Sequence, residues 1–156
     1  MKEKTYLIDL ETDYGQFYIV NNLEDYEDIH WDNDSLNKRM LVANGIIAVI
    51  IASRYYVQGE IAVLGKAPAL DDLDKYDHVV EGGIDVINNQ LYFLDCPNSE
   101  VLLKIPIPNG SYRVRVYTMN SKNIMGDCFE KEEDRYRIEI FPGTSKEVVV
   151  YKRMIE

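Results

Sequence analysis

The sequence predicts an all-β fold: a single-domain antiparallel β-sandwich of about eight to nine strands with one short helix, spanning residues 1–156. Short segments rich in β-branched and aromatic residues alternate between apolar and polar positions. Turn-forming residues separate these segments throughout, a spacing typical of sandwiches and open barrels. A chain of 156 residues suits one domain that buries roughly 70% of its unfolded surface.

Nine segments carry the strand pattern. They are 16–20, 46–53, 60–64, 78–86, 90–94, 102–105, 111–118, 135–141 and 147–151. Residues two apart in a strand share a face, so the alternation also predicts which side chains reach the core. The inward faces of the two most regular segments are Tyr112, Val114 and Val116, and Tyr136, Ile138 and Ile140. The full predicted buried set is Phe17, Ile47, Val49, Ile84, Val114, Val116, Ile138 and Ile140.

The helix and the turns are predicted from local chemistry. Asp34 or Ser35 is expected to cap a short helix that runs through Met40 and ends at 44–45. Hairpin turns are expected at 88–89 and at 108–110, because Asn and Gly tolerate the positive φ of tight turns.

Charge is distributed unevenly along the chain. The first 34 residues hold ten acidic and two basic residues, a formal charge of −8 out of −10 for the whole chain. Within them residues 21–34, here called the acidic segment, contain six carboxylates and no Lys or Arg. Such a surface repels nucleic acid and membranes and attracts a cation or a basic protein patch. Its predicted partner-binding residues are Glu24, Asp25, Tyr26, Glu27, Asp28, Trp31, Asp32 and Asp34.

The sequence is expected to belong to a cytoplasmic protein. The N-terminal residues lack the apolar stretch of a secretory signal. The longest apolar run, 46–52, has seven residues, whereas a membrane-spanning helix needs roughly 20. Cys96 and Cys128 are too few and too far apart for a disulfide framework or a zinc site, so both are expected to be free thiols.

Calcium binding is an alternative use of the acidic residues. The run 32–34 begins like a calcium loop, because carboxylates and amides wrap hard cations. Asn37 then stands where that loop requires Gly, and Ala43 where it requires Glu. A non-helical calcium site between the loops of the sandwich is the remaining alternative, with Asp71, Asp72 and Asp74 as ligands. Solvated acidic turns are more common, so no metal or other cofactor is predicted.

Catalysis is not predicted. His30 and His78 are the only histidines, and neither lies near a nucleophile motif. His78 is expected to bond to Asp77 or to be buried with its ring satisfied. Residues 82–83, two glycines within a strand pattern, indicate a bulge or a close backbone approach rather than a phosphate loop.

Four arginines alternate in two predicted strands and could form a basic stripe for an anionic ligand if the strands are neighbours. They are Arg113, Arg115, Arg135 and Arg137. Cross-strand charge pairing is routine, so they are expected instead to pair with acidic residues on an exposed sheet face. The expected partners are Glu81, Asp85 and Glu139.

Several strings are similar to a known group. They are 14–18, Trp31 ahead of a short helix, 73–81, 108–117 and 134–142. These strings resemble a widespread group of uncharacterised bacterial β-sandwich proteins and, more loosely, the competence protein J family, whose named member inhibits a DNA-entry nuclease. The resemblance covers about residues 14–142 and implies the fold. Its motifs are strand, turn and core positions, so no inhibitory residue carries over.

The predicted function is that of a non-enzymatic binding protein, an acidic inhibitor or immunity protein that masks a basic nuclease or toxin. A nuclease site is basic because it binds phosphates, so the acidic segment can mimic the polyanion while Tyr26 and Trp31 act as aromatic anchors. A lone Trp is also often a core residue. The alternative function is a module that binds calcium or a small ligand. Neither nucleic acid nor a membrane is a predicted partner.

Overall fold

The structure, a computed structural model, describes residues 2–126 and 128–154. These residues form eleven strands, one α-helix and one 3₁₀ helix (Leu73–Lys75). In chain order the other elements are β1 (Lys4–Glu11), β2 (Gln16–Val20), α1 (Asn33–Lys38), β3 (Met40–Ala43), β4 (Ile46–Ile50), β5 (Tyr56–Val63), β6 (His78–Val86), β7 (Gln90–Asp95), β8 (Val101–Pro106), β9 (Gly110–Met119), β10 (Arg135–Pro142) and β11 (Val149–Lys152).

The strands form two sheets that pack face to face. Sheet A has the order β1-β5-β10-β9-β6-β11, and sheet B has the order β3-β4-β2-β7-β8. Neighbouring strands are antiparallel except for β10 and β5, which are parallel. The all-β prediction is confirmed. The prediction of a strictly antiparallel sandwich of eight to nine strands is wrong, because sheet A is mixed and the described residues form eleven strands.

Two strands were missing from the prediction, β1 and β3. In β1 only Ile8 is buried and Leu7 is 88% exposed, so this edge strand has a weak apolar pattern. β3 lies where the helix was predicted to continue. The helix instead begins two or three residues earlier, with Asp32 rather than Asp34 or Ser35 as its N-cap, and ends at Lys38. Arg39 then adopts a left-handed conformation that stops the helix and starts β3.

The core lies between the sheets. All eight side chains predicted to be buried are at most 2% exposed: Phe17, Ile47, Val49, Ile84, Val114, Val116, Ile138 and Ile140. A Cβ atom on Gly82 would lie 2.7 Å from Val42 Cγ2 and 2.8 Å from Met40 Sδ. On the opposite face, a Cβ on Gly83 would overlap the backbone oxygen of Ser145. The predicted close backbone approach at these glycines is confirmed.

Replacing Val116 with Ala is expected to lower the free energy of unfolding by about 1–3 kcal/mol. Val116 is 1% exposed and lies on β9, between β10 and β6. Its loss removes buried apolar surface and leaves a cavity. Urea unfolding measures the change, and Val101→Ala, at a half-buried position at the start of β8, should cost less. A neutral Val116→Ala would contradict the register of β9.

The predicted hairpins at 88–89 and 108–110 are wrong. Both turns carry the chain from one sheet to the other, because β6 and β9 belong to sheet A and β7 and β8 to sheet B. The expected positive φ does occur, at Asn89 and Gly110. Reciprocal hydrogen bonds join these two turns. The Asn89 N–H donates to Asn109 Oδ1 at 2.7 Å, and the Asn109 N–H donates to Asn89 Oδ1 at 3.3 Å.

The outer face of sheet A carries a buried ion network. Glu81 accepts hydrogen bonds from Arg113 Nε at 2.8 Å and from Arg115 Nε at 2.7 Å. Arg115 also donates to Glu139 at 3.2 Å, and Arg137 Nε donates to Glu139 at 3.1 Å. The predicted pairing of arginines with Glu81 and Glu139 is confirmed.

This face was predicted to be exposed, and that prediction is wrong. Arg113 is 6% exposed and Arg115 is 5% exposed, because other parts of the chain cover them; the Pro68 backbone oxygen accepts from Arg115 at 3.2 Å. Arg113 donates to the backbone oxygens of Ser145 and Glu147 at 2.9 and 2.7 Å. The remaining charges also differ from the prediction. Asp85 pairs with Lys146, and Arg135 donates to the backbone oxygens of Glu132 and Asp134.

His78 ties the C-terminal residues to the helix end. It is 1% exposed, its Nε2 donates to the Lys38 backbone oxygen at 2.8 Å, and its Nδ1 accepts from the Met154 N–H at 3.0 Å. The prediction of a satisfied buried ring is confirmed. Burial lowers the pKa of His78 to about 4; the hydrogen bond to Lys38 opposes this, and the charges of Arg39 and Arg153 add to it.

We expect the free energy of unfolding to fall as the pH drops from 6.5 to 4. In this window the unfolded His78 binds a proton and the folded one does not, so stability is lost by at most about 1.4 kcal/mol per pH unit. Urea unfolding across the window tests this. His78→Gln is the reference, since Gln keeps a donor and an acceptor without titrating. Equal pH slopes for the two proteins would contradict the assignment.

Candidate functional site

The acidic segment joins β2 to α1 and runs over the outer face of sheet B. Tyr26 and Ile29 pack there against a second apolar cluster, separate from the core between the sheets. The buried members of that cluster are Val20, Ile46, Tyr92 and Leu94. These side chains alternate along their strands with core residues such as Ile19, Ile47 and Phe93, so they face away from sheet A.

Hydrogen bonds hold the acidic segment to the β3–β4 turn. The Glu27 N–H donates to the Asn44 backbone oxygen at 3.0 Å, and the Asn44 N–H donates to Glu27 Oε1 at 3.1 Å. Asn21 Nδ2 donates to the Asp85 backbone oxygen at 2.9 Å. Gly45 has φ of 78°, and a Cβ there would lie 3.0 Å from Asn21 Oδ1. Glycine therefore permits both the turn and the approach of the segment.

The six carboxylates of the segment are all exposed: Glu24, Asp25, Glu27, Asp28, Asp32 and Asp34. Asp34 pairs with Lys38 at 2.9 Å. Asp32 caps α1, and hydrogen bonds from the Ser35 backbone N–H and hydroxyl lower its pKa. Within the described residues, no ion pair engages the first four carboxylates. The structure therefore presents them together as a negative face.

The two aromatic residues of the segment differ in what holds them. Tyr26 is half-buried against the outer cluster of sheet B. Trp31 is also half-buried, and its Nε1 donates to Gln16 Oε1 at 3.3 Å. The alternative prediction, that a lone Trp is a core residue, is therefore wrong for Trp31. Both rings keep accessible surface beside the carboxylates.

The acidic loop at 71–77 is organised by its own hydrogen bonds. Asp71 accepts from the Tyr76 hydroxyl, and Asp72 caps the 3₁₀ helix by accepting from the Asp74 N–H at 3.1 Å. Across residues 2–126 and 128–154, no three His, Cys, Asp or Glu side chains are grouped so that they could hold a metal ion.

The cysteines and the other histidine are not brought together. Cys96 is buried and accepts from the Tyr18 hydroxyl at 3.0 Å, whereas Cys128 is half-buried. Both are free thiols, as predicted. His30 is exposed on the acidic segment. None of the helices in the described part of the chain could span a bilayer.

Comparisons with known proteins add evidence on the fold. No protein-family model and no curated protein matches the sequence. Among solved structures, ComJ from Bacillus subtilis, an inhibitor of the DNA degrading activity of NucA, superimposes with a TM-score of 0.68 at 16% identity, over 92% of this chain and 100% of ComJ. The fold resembles that of ComJ. The resemblance to the competence protein J family is thus confirmed at the level of the fold.

A second solved structure shares the fold. The product of crocagin biosynthetic gene J superimposes with a TM-score of 0.56 at 15% identity, over 91% of this chain and 99% of that one. The two matches span nearly the whole sandwich. At these identities they establish the architecture, and they transfer no individual residue.

Sequence reasoning missed a cavity at one end of the sandwich. It has a volume of about 720 Å³ and is lined by side chains from distant parts of the chain. Four of them are cationic: Arg39, Lys122, Lys152 and Arg153. They come from three separate stretches of sequence, so no local charge pattern could have indicated that they meet.

Proposed function

We propose that the protein is a non-enzymatic binding protein that masks a basic protein partner, a nuclease or a toxin, with its acidic segment. The observation that carries this proposal is the negative face itself. Glu24, Asp25, Glu27 and Asp28 are exposed on a segment whose backbone is bonded to Asn44. A surface that is ordered before binding loses less entropy when a partner docks.

Electrostatics favour a basic partner. A nuclease site that binds phosphates is positively charged, and a face of closely spaced carboxylates is complementary to it. The likeness in fold to ComJ, an inhibitor of NucA, supports the same class of partner. Because the charges are exposed, they should act mainly on the rate of encounter and on specificity.

An affinity capture from the source cell, at low and high salt, tests the proposal. Three baits are compared: the wild type, an acidic-segment variant (E24Q/D25N/E27Q/D28N), and a control variant (D74N/E100Q/E130Q/E133Q). Both variants remove four exposed carboxylates, so they change the net charge equally. Mass spectrometry should identify a basic protein that the wild type and the control variant retain at low salt.

The same protein should be lost from the acidic-segment variant, and its nuclease or toxin activity should fall when the wild-type chain is added. Equal capture by the acidic-segment variant would show that the partner binds elsewhere. A captured partner whose activity is unchanged would contradict the inhibitor role.

We expect Trp31→Ala to accelerate dissociation of the partner by about tenfold or more, because a desolvated aromatic anchor acts mainly on the off-rate. Trp31→Phe, which keeps a ring, should have a smaller effect. Surface plasmon resonance measures both. Trp31 is the only Trp in the chain, so its emission should shift to shorter wavelength on binding. An unchanged off-rate combined with a large loss of stability would instead assign Trp31 a structural role.

A further inference from the structure

The end cavity lies outside the acidic segment and is large enough for a small molecule. Its volume of about 720 Å³ falls within the range of ligand pockets, roughly 300–1,000 Å³. Its walls come from the end of β4, from the 76–77 and 121–124 stretches, and from the C-terminal residues 152–154.

The charge of the cavity is opposite to that of the chain. Arg39, Lys122, Lys152 and Arg153 line it, although the chain as a whole carries −10. Among the described lining residues the one carboxylate is Asp77. Among these residues the cations outnumber the carboxylates, which favours an anion over a cation as the ligand.

Asp77 is already engaged by the cavity wall. It accepts from the Ser121 N–H at 2.8 Å and from the Ser121 hydroxyl at 2.7 Å. Burial tends to raise the pKa of Asp77, but the Ser121 hydrogen bonds and the charges of Lys122 and Lys152 lower it overall. Asp77 is thus ionised at neutral pH and is already bonded to Ser121.

Several of the segments that carry the cations are hydrogen-bonded to the rest of the fold. Arg39 accepts a hydrogen bond from the Ile50 N–H at 3.0 Å through its backbone oxygen. Lys152 donates to the Leu73 backbone oxygen at 2.8 Å, and the Met154 N–H is bonded to His78. Walls that are hydrogen-bonded to the fold need less reorganisation to accept a ligand.

Two of the cations make no direct side-chain bond within the described residues. Lys122 and Arg153 are exposed and make no side-chain hydrogen bond or ion pair with any residue in the described ranges. This contrasts with the outer face of sheet A, where Arg113 and Arg115 meet Glu81 directly. The arginines on that face are paired with carboxylates, whereas Lys122 and Arg153 in the cavity are available to bind an anion.

The rest of the lining is largely apolar. Ile50, Ile51, Ala52, Tyr76 and Ile124 form walls beside the charged side chains. A ligand that satisfies both parts carries an anionic group for the Lys and Arg side chains and an apolar body for these walls. We propose that this cavity is a binding site for a small organic anion, a phosphate ester or a carboxylate, with Lys122 and Arg153 contacting the anionic group.

Calorimetric titration with phenyl phosphate and with benzoate tests the site, and phenol serves as the uncharged comparison. We expect saturable binding of at least one anion, one molecule per chain, and clearly weaker binding of phenol. Tighter binding of phenyl phosphate would identify a phosphate ester as the ligand class, and tighter binding of benzoate would identify a carboxylate.

The double variant K122Q/R153Q should weaken binding by about tenfold or more, since it removes two charges that contact the anion. K66Q/K104Q is the matched control, because Lys66 and Lys104 are exposed cations outside the cavity lining. Both variants should unfold at the wild-type temperature, and the single variant K122Q provides a second readout. The proposal is overturned if neither anion saturates, if phenol binds equally well, or if the two double variants bind alike.

Discussion

Replacing Glu81 with Gln is expected to lower the free energy of unfolding by about 3–5 kcal/mol, because it leaves buried positive charge without its counter-ion. Glu81 accepts from Arg113 at 2.8 Å and from Arg115 at 2.7 Å, and all three residues are at most 6% exposed. Glutamine keeps the shape of the side chain but not its charge. Arg115 would keep Glu139, which Arg137 also contacts, whereas Arg113 would lose the carboxylate to which it is bonded.

Urea unfolding at neutral pH measures this loss, and Glu60→Gln provides the matched control. Glu60 pairs with Arg137 at the rim of the same network, where both side chains are partly exposed to solvent. An exposed pair contributes about 1 kcal/mol or less. Similar losses for Glu81→Gln and Glu60→Gln would mean that burial does not control the energetics of this network.

The inner faces of the strands could be predicted from the sequence, because the side-chain period of a strand is local. In β9 and β10 the alternation of apolar and polar residues correctly assigned Val116 and Ile138 to the core. The same alternation misplaced Arg113 and Arg115. A charged alternate face usually meets solvent, and nothing in β9 itself indicates that the backbone at Pro68 and at 145–147 covers it.

The arrangement of strands depends on contacts that no local pattern carries. The Asn89 and Gly110 turns have the residues of tight turns, and that chemistry is the same whether a turn closes a hairpin or crosses between sheets. The parallel pairing of β10 with β5 joins strands separated by more than seventy residues. The choice of N-cap is local by contrast, because Asp32 forms a reciprocal capping box with Ser35, three residues further along.

The two candidate sites also differ in whether the sequence alone could indicate them. The acidic segment is contiguous, so its composition alone indicates a negatively charged surface at Glu24 and its neighbours. The cavity cations are brought together by the fold, with Arg39 following α1 and Arg153 following β11. A contiguous charged surface can be found from sequence, whereas a site built from distant segments requires the tertiary structure.

Neutralising Glu24, Asp25, Glu27 and Asp28 together is expected to slow association with the basic partner by about tenfold or more. Steered encounters are faster than neutral ones because complementary charges raise the rate of productive collision. The same substitutions should flatten the dependence of the association rate on salt, since the screened interaction is no longer present. Stopped-flow mixing at several ionic strengths measures both effects.

The control variant at Asp74, Glu100, Glu130 and Glu133 separates steering by this face from the effect of net charge, because it removes four exposed carboxylates elsewhere. It should associate at close to the wild-type rate if encounter depends on where the charge lies. Both variants should unfold at nearly the wild-type denaturant concentration, because exposed charges contribute little to stability. Equal slowing by the two variants would assign the effect to the overall charge and remove the acidic segment as the docking face.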